Sequence, residues 1–197
     1  APYDVQSADL DGDGKLELVT THYASDEIAI WKIDNSGDFM EQTRFLSRGR
    51  LPHRVRVADV NGDGIKDLVV SHVHTDDSIV IFYGEKGAFY PVAQELLLGR
   101  DRQRLEHEIR DVLVQDFTGD GRPEIVAACS ISRQVVIFVN AGNDSRVPVK
   151  FTEERYTFHQ PVGSPRAVCS ADFNTDGKPD LAVALWEANA VALLLKK

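Results

Sequence analysis

Positive charge is scarce in this sequence: 22 lysines and arginines stand against 31 aspartates and glutamates, for a net charge of −9. Gripping a nucleic-acid duplex means neutralising phosphates with a basic face, so nucleic acid is disfavoured as a partner. Long apolar runs are missing too. None approaches the ~20 residues that a membrane-crossing helix needs, so no membrane span is expected. No basic-then-apolar leader begins at Ala1, and any signal peptide is expected to lie outside these residues. Gly-rich phosphate loops, nucleophile elbows and H-E-x-x-H segments do not occur, and no catalytic residue is assigned. Cysteine is limited to Cys129 and Cys169. A disulfide in an oxidising compartment and two buried thiols both fit that pair. His22, His53 and His72 lack the helical or C-x-x-C spacing of a transition-metal site.

What is present is ample apolar material, 43% of 197 residues, which suits one domain or two small ones. The acidic excess concentrates in four segments: DLDGDGKLE from Asp9, DVNGDGIKD from Asp59, DFTGDGRPE from Asp116 and DFNTDGKPD from Asp172. Their first aspartates lie 50, 57 and 56 residues apart. A period of that size is the signature of a repeat architecture.

Each acidic segment sits between strand-like runs. Val55 to Val60 nearly alternates, and Leu68-Val69-Val70 and Ile125 to Ala128 follow their loops directly. A third run comes after a polar turn: Ile28–Trp31, Ser78–Tyr83, Gln134–Val139 and Asn189–Leu194. A fourth, more polar run follows in three units, at Phe39–Leu46, Ala88–Leu98 and Val149–Phe158. Four meandering strands per repeat make a propeller blade, so the expected fold is an all-β propeller of antiparallel blades. The blades fall at about 1–50, 51–107, 108–163 and 164–197, the last without its outer strand. The one helical candidate, Arg100 to Glu108, reads as a surface excursion.

Hard oxygens at alternate loop positions, with Gly where the backbone turns tightly, suit Ca²⁺ better than Zn²⁺ or copper. An EF-hand would close with Glu at position 12, but that position holds Thr20, Val70, Ala127 and Val183. The closing acid stands at position 9 instead, as Glu17, Asp67, Glu124 and Asp180. D-x-[D/N]-x-D-G-x-x-[D/E] between two strands at this period resembles the FG-GAP/VCBS repeat family, found in the integrin α-subunit propeller and in many secreted bacterial propellers. That resemblance implies one Ca²⁺ per loop, up to four. The first ligand set would be Asp9, Asp11, Asp13, the Lys15 carbonyl and Glu17. The second would be Asp59, Asn61, Asp63, the Ile65 carbonyl and Asp67. Asp116, Thr118, Asp120, the Arg122 carbonyl and Glu124 would form the third, and Asp172, Asn174, Asp176, the Lys178 carbonyl and Asp180 the fourth. Thr118 offers only a hydroxyl, which weakens the third site. Thr175 replaces the glycine of the other loops and is strained if its φ is positive.

Propellers of this family usually carry about seven blades, and this chain has four repeats. Further blades of a longer propeller, a second chain completing the ring, and a compact four-bladed ring are the three expectations, in that order. A ligand is expected on the face opposite the acidic loops. Tyr3, His53, Arg110 and Arg166 begin the innermost strands there, and His22, His72 and Trp186 stand near the ends of the second strands, with Tyr23, His74 and Glu187 close by. Together these imply an extracellular or periplasmic, non-catalytic interaction or adhesion module for protein or carbohydrate. The alternative is a propeller of a polysaccharide-active, lyase-like enzyme.

Overall fold

The computed structural model describes residues 1–34, 36–73, 78–87, 89–98, 107–142, 147–159 and 163–196. Four antiparallel sheets follow one another along the chain. The first contains β1 (Pro2–Ala8), β2 (Glu17–His22), β3 (Glu27–Ile33) and β4 (Phe39–Leu46). The second contains β5 (Pro52–Ala58), β6 (Asp67–His72), β7 (Ser78–Glu85) and β8 (Phe89–Leu97), and the third β9 (Ile109–Gln115), β10 (Glu124–Cys129), β11 (Gln134–Asn140) and β12 (Phe151–Thr157). The fourth has three strands, β13 (Pro165–Ala171), β14 (Asp180–Leu185) and β15 (Ala190–Leu194). No helix occurs among the described residues. Of the helical candidate, 100–106 lie outside them, and His107 and Glu108 are not helical.

The sheets stack through the side chains of their innermost strands, with β1 against β5, β5 against β9 and β9 against β13. Because side chains alternate along a strand, each blade sends one set forward and the other back. Val19, Ile28 and Ile30 of the first blade meet Val55, Leu68, Val70 and Phe82 of the second. Val69, Ile79 and Ile81 meet Val112, Ile125, Val136 and Phe138 at the next joint. The third joint sets Val126, Ala128 and Val135 against Val168, Leu181 and Val183. Strands β6 and β10 are buried throughout. That is why their sequences run apolar instead of alternating: both of their faces are covered.

The compact four-bladed ring is not what forms. Strand β13 does not pack back on β1, and the sheets describe a partial propeller. The two end faces are accordingly open. Val5 remains exposed on the first blade, and Cys169, Val191 and Leu193 on the last. Val191 and Leu193 take the repeat positions of Ile28 and Ile30, which are fully buried at the first joint. No disulfide joins Cys129, which is buried in β10, to Cys169.

Candidate functional site

The four acidic loops connect the first and second strands of their blades, as the spacing predicts. Glycine is required where the turn drives φ positive: Gly12, Gly62 and Gly119 lie at φ 79°, 75° and 78°. Thr175 takes the same conformation at φ 62°, so this loop carries the strain that its sequence implied. The carboxylate of the leading aspartate folds back onto the loop. Asp9 accepts the Gly12 and Gly14 N–H groups at 2.7 and 3.0 Å, and Asp59 accepts those of Gly62 and Gly64 at 2.7 and 2.8 Å. Oxygens of Asp9, Asp11 and Glu17 lie within 4.8 Å of one another. The Lys32 ammonium sits beside that cluster, bonded to Asp11 and 3.6 Å from Glu17, a cation held where these oxygens converge. Its hydrogen bond holds the Asp11 carboxyl below the usual range. Such a donor set fits a hard cation. In the third loop Arg122 pairs with Asp120 at 2.6 Å. Among the described residues no basic side chain pairs with the acids of the second and fourth loops.

The position-9 acids have a second task. Glu17, Asp67, Glu124 and Asp180 are all buried. One oxygen of each accepts the N–H of the second loop residue, at 2.8, 2.7, 2.7 and 3.0 Å. The other oxygen of Asp67 accepts Gly84 N–H, and that of Asp180 accepts Lys196 N–H, both at 2.8 Å. Asp67 therefore ties its loop to the third strand, and Asp180 ties its loop to the segment just past that strand. An oxygen that accepts a single N–H keeps a further lone pair for a cation. Burial pushes Asp67 up to about 6, against the pull of those two N–H groups.

On the opposite face the strand register carries a repeated irregularity. Pairing skips one residue between Pro2 and Asp4, between Pro52 and Arg54, between Ile109 and Asp111, and between Pro165 and Ala167. The skipped residues are Tyr3, His53, Arg110 and Arg166, four of the residues assigned to this face from sequence. A bulge re-aims the side chain that it leaves unpaired. Tyr3 is half exposed and packs against Tyr23 at 5.5 Å and His53 at 4.2 Å. Arg166 lies over the exposed Trp186 ring at 5.7 Å, and Arg110 is bonded to Glu108. The histidines are more withdrawn. His53, His72 and His22 are all buried, and His22 shares a 3.0 Å hydrogen bond with Thr20. His74 lies outside the described residues.

The FG-GAP-like repeat profile matches residues 9–70 and 116–183. The chain belongs to the FG-GAP-like repeat family. Its fold is shared with BBS1N, crystallised in complex with ARL6DN. In the lead-soaked form the TM-score is 0.59 at 14% identity, over 96% of this chain and 55% of the other. The mercury-soaked form gives 0.59 at 13%, over 98% and 57%. A protein from Lactobacillus plantarum gives 0.57 at 13%, over 98% and 54%. This FG-GAP chain thus spans just over half the length of these solved structures. No curated protein matches it.

Sequence reasoning missed the ionic belt that crosses the inner strands of these FG-GAP blades. Arg56 bridges Asp4 at 3.2 Å and Asp111 at 2.8 Å, and Arg54 reaches the same two acids at 3.5 and 3.7 Å. Asp4 also accepts Val55 N–H at 3.0 Å, and Asp111 accepts Val168 N–H at 3.1 Å. The available signal was the alternation of sign at one repeat position, as Asp4, Arg54 and Asp111.

The belt bears on His53. Burial lowers its pKa to about 4; the Arg54 and Arg110 guanidinium groups add to this, and Asp4 opposes it. Between pH 6.5 and 4 the unfolded chain takes up a proton that the fold refuses, so stability should fall as pH falls through that window. The loss is at most about 1.4 kcal/mol per pH unit. In urea denaturation, His53→Gln should lose less stability than the parent between pH 6.5 and 4.5. Equal slopes would show that His53 is not responsible.

Proposed function

We propose that this FG-GAP chain is a calcium-stabilised propeller segment working as a non-catalytic interaction module, extracellular or periplasmic, with a protein as its ligand. The observation that carries this reading is the set of four equivalent bulges. They set Tyr3, Arg110 and Arg166, with the buried His53 against the Tyr3 ring, at the strand ends opposite the acidic loops. Aromatic rings with guanidinium groups beside them are the composition of protein-recognition surfaces. BBS1N, of similar fold, is crystallised with a protein partner, which supports a protein ligand here. The exposed Tyr3 and Trp186 rings also suit stacking on a sugar, and a glycan array separates the two readings.

The loops gather thirteen carboxylates. When bound, Ca²⁺ supplies charge to oppose their repulsion, and it stabilises the fold by about 2.7 kcal/mol per site at a hundredfold excess over its dissociation constant. The Lys32 ammonium and the Arg122 guanidinium compete with it in the first and third loops, so the second and fourth should bind more tightly. Thermal unfolding with Ca²⁺ and with EDTA tests this. Ca²⁺ should raise the melting temperature, and Asp63→Ala should remove more of that increase than Asp120→Ala. A melting temperature indifferent to Ca²⁺ would reject the metal assignment.

A further inference from the structure

The stretch from Arg44 to Arg56 holds five arginines and no acid, in a chain whose net charge is −9. Among the described residues every arginine has a carboxylate partner except Arg48, Arg50 and Arg166. Arg166 borders the open face of the last blade. Arg48 and Arg50 lie instead on the crossing from β4 to β5, between the first and second blades. Pairing of Leu46 with Glu27, Glu27 with His22 and His22 with Pro2 puts that crossing at the bulged end, opposite the acidic loops.

The crossing is held at several points. Ser47 N–H donates to Asp26 O at 2.8 Å, and Leu51 N–H donates to the Asp26 carboxylate at 2.6 Å. The Ser47 hydroxyl donates to Gly49 O at 3.0 Å, and Leu51 O accepts Val73 N–H at 3.3 Å. Gly49 is pressed against the His72 ring, where no Cβ would fit. Arg48 and Leu51 both take left-handed backbone, at φ 61° and 54°. Non-glycine residues keep such conformations only where their surroundings over-determine them. With Gly49 turned inward, Arg48 and Arg50 on either side of it are exposed. The turn of the first blade that holds the crossing also carries Tyr23, stacked on Tyr3 at 5.5 Å, and Arg54 lies over the Tyr3 ring at 5.9 Å. Acids at this end are engaged elsewhere: Asp26 holds Leu51, Glu27 holds Arg44, and Asp4 holds Arg54 and Arg56.

We propose that the Arg48-Gly49-Arg50 prong, with Tyr23 on the adjoining turn, is where this face takes its protein ligand, through the carboxylates of a short acidic segment. The inference rests on the protein-ligand reading and gives that ligand its chemistry. Each guanidinium fork can take a carboxylate with two hydrogen bonds. Because the backbone between them is already fixed, little chain entropy is lost on binding. The charge of the molecule is polarised in the same sense. Thirteen carboxylates stand in the acidic loops at the other end, so an acidic segment is repelled there and drawn to this end. Those loops are fixed at the far end of their blades and cannot fill the prong of their own chain. A neutral glycan suits it less, because Tyr3 already has Tyr23 and His53 against it, which leaves little bare ring for a sugar to stack on.

Fluorescence anisotropy of labelled hexaglutamate with the full chain at low salt tests this, with hexaglutamine and oligogalacturonate as comparison probes. Hexaglutamate should bind at one site and hexaglutamine should not, and added salt should weaken the complex. Arg48→Gln with Arg50→Gln should lower the affinity by about tenfold or more. The melting temperature should not change, since both side chains are exposed. Lys86→Gln with Lys150→Gln removes the same charge from exposed positions at the loop end and should leave the affinity within about twofold. No binding of hexaglutamate, or equal losses in the two double variants, would overturn the proposal. The protein-ligand reading would then still stand, because Tyr3 and Arg110 carry it independently. Tighter binding of oligogalacturonate through the same arginines would overturn both. A dimer that forms at low salt and is lost in the arginine variant would also overturn the proposal, because the acidic loops of a second copy would then hold the prong.

Discussion

Asp67→Ala is expected to cost about 3–5 kcal/mol even in EDTA, a large part of the stability of a domain this size. Asp67 is wholly buried, and its two oxygens accept Val60 N–H and Gly84 N–H. Alanine leaves both donors without a partner away from water, and each such loss costs about 1–3 kcal/mol. Asn should fall between, since its one carbonyl oxygen satisfies one donor while its amide faces the other. Chelator separates this role from metal binding. In EDTA, Asp63→Ala removes an exposed loop acid and should cost less than about 1 kcal/mol. Urea denaturation of the three variants decides the matter. If Asp67→Ala costs no more than Asp63→Ala in EDTA, the buried acid does not tie the loop to the third strand.

The second large effect is expected at the ionic belt. Asp111 is nearly buried, holds Arg56 and Arg54, and accepts Val168 N–H from the next blade. Asp111→Ala therefore leaves two guanidinium groups under-paired and one inter-blade hydrogen bond broken. Removing one partner of a buried pair costs about 3–5 kcal/mol. The arginines are partly exposed, which places the expected loss near the lower bound. Arg56→Met in the Asp111→Ala background should recover part of the loss, because the uncompensated charge is then gone. The coupling in that double-mutant cycle should exceed about 1 kcal/mol. Strict additivity would show that Arg56 and Asp111 do not stabilise one another.

These effects mark the boundary of what could be read in advance. The loops were legible because their chemistry is local. Asp-x-Asp-Gly turns need positive φ at fixed offsets, and a strand on each side confines them, so Gly12, Gly62, Gly119 and the strained Thr175 declare themselves at one position of the repeat. The strands were legible for the same reason: Phe39–Leu46 is read from sequence and formed with identical limits.

Burial could not be read in this way. His53 and His72 look like face residues because they precede and follow core strands, yet neighbouring segments cover both. Gly49, for instance, lies so close that a Cβ there would fall 2.5 Å from the His72 ring. The position-9 acids read as metal ligands alone, since nothing local reveals that Gly84 N–H, seventeen residues on, points at Asp67.

By itself the sequence determined the repeat, its period, the loop chemistry and the blade as the unit, because each depends on residues a few positions apart and on the alternation of a pleated strand. Only the tertiary structure decided that the four blades stop short of a ring, that bulges fall at Tyr3, His53, Arg110 and Arg166, and that Arg56 holds Asp4 and Asp111 across three blades. Those outcomes depend on strand register and on partners more than 50 residues away. The energy of such contacts comes from burial and desolvation, which exist only once the sheets have stacked.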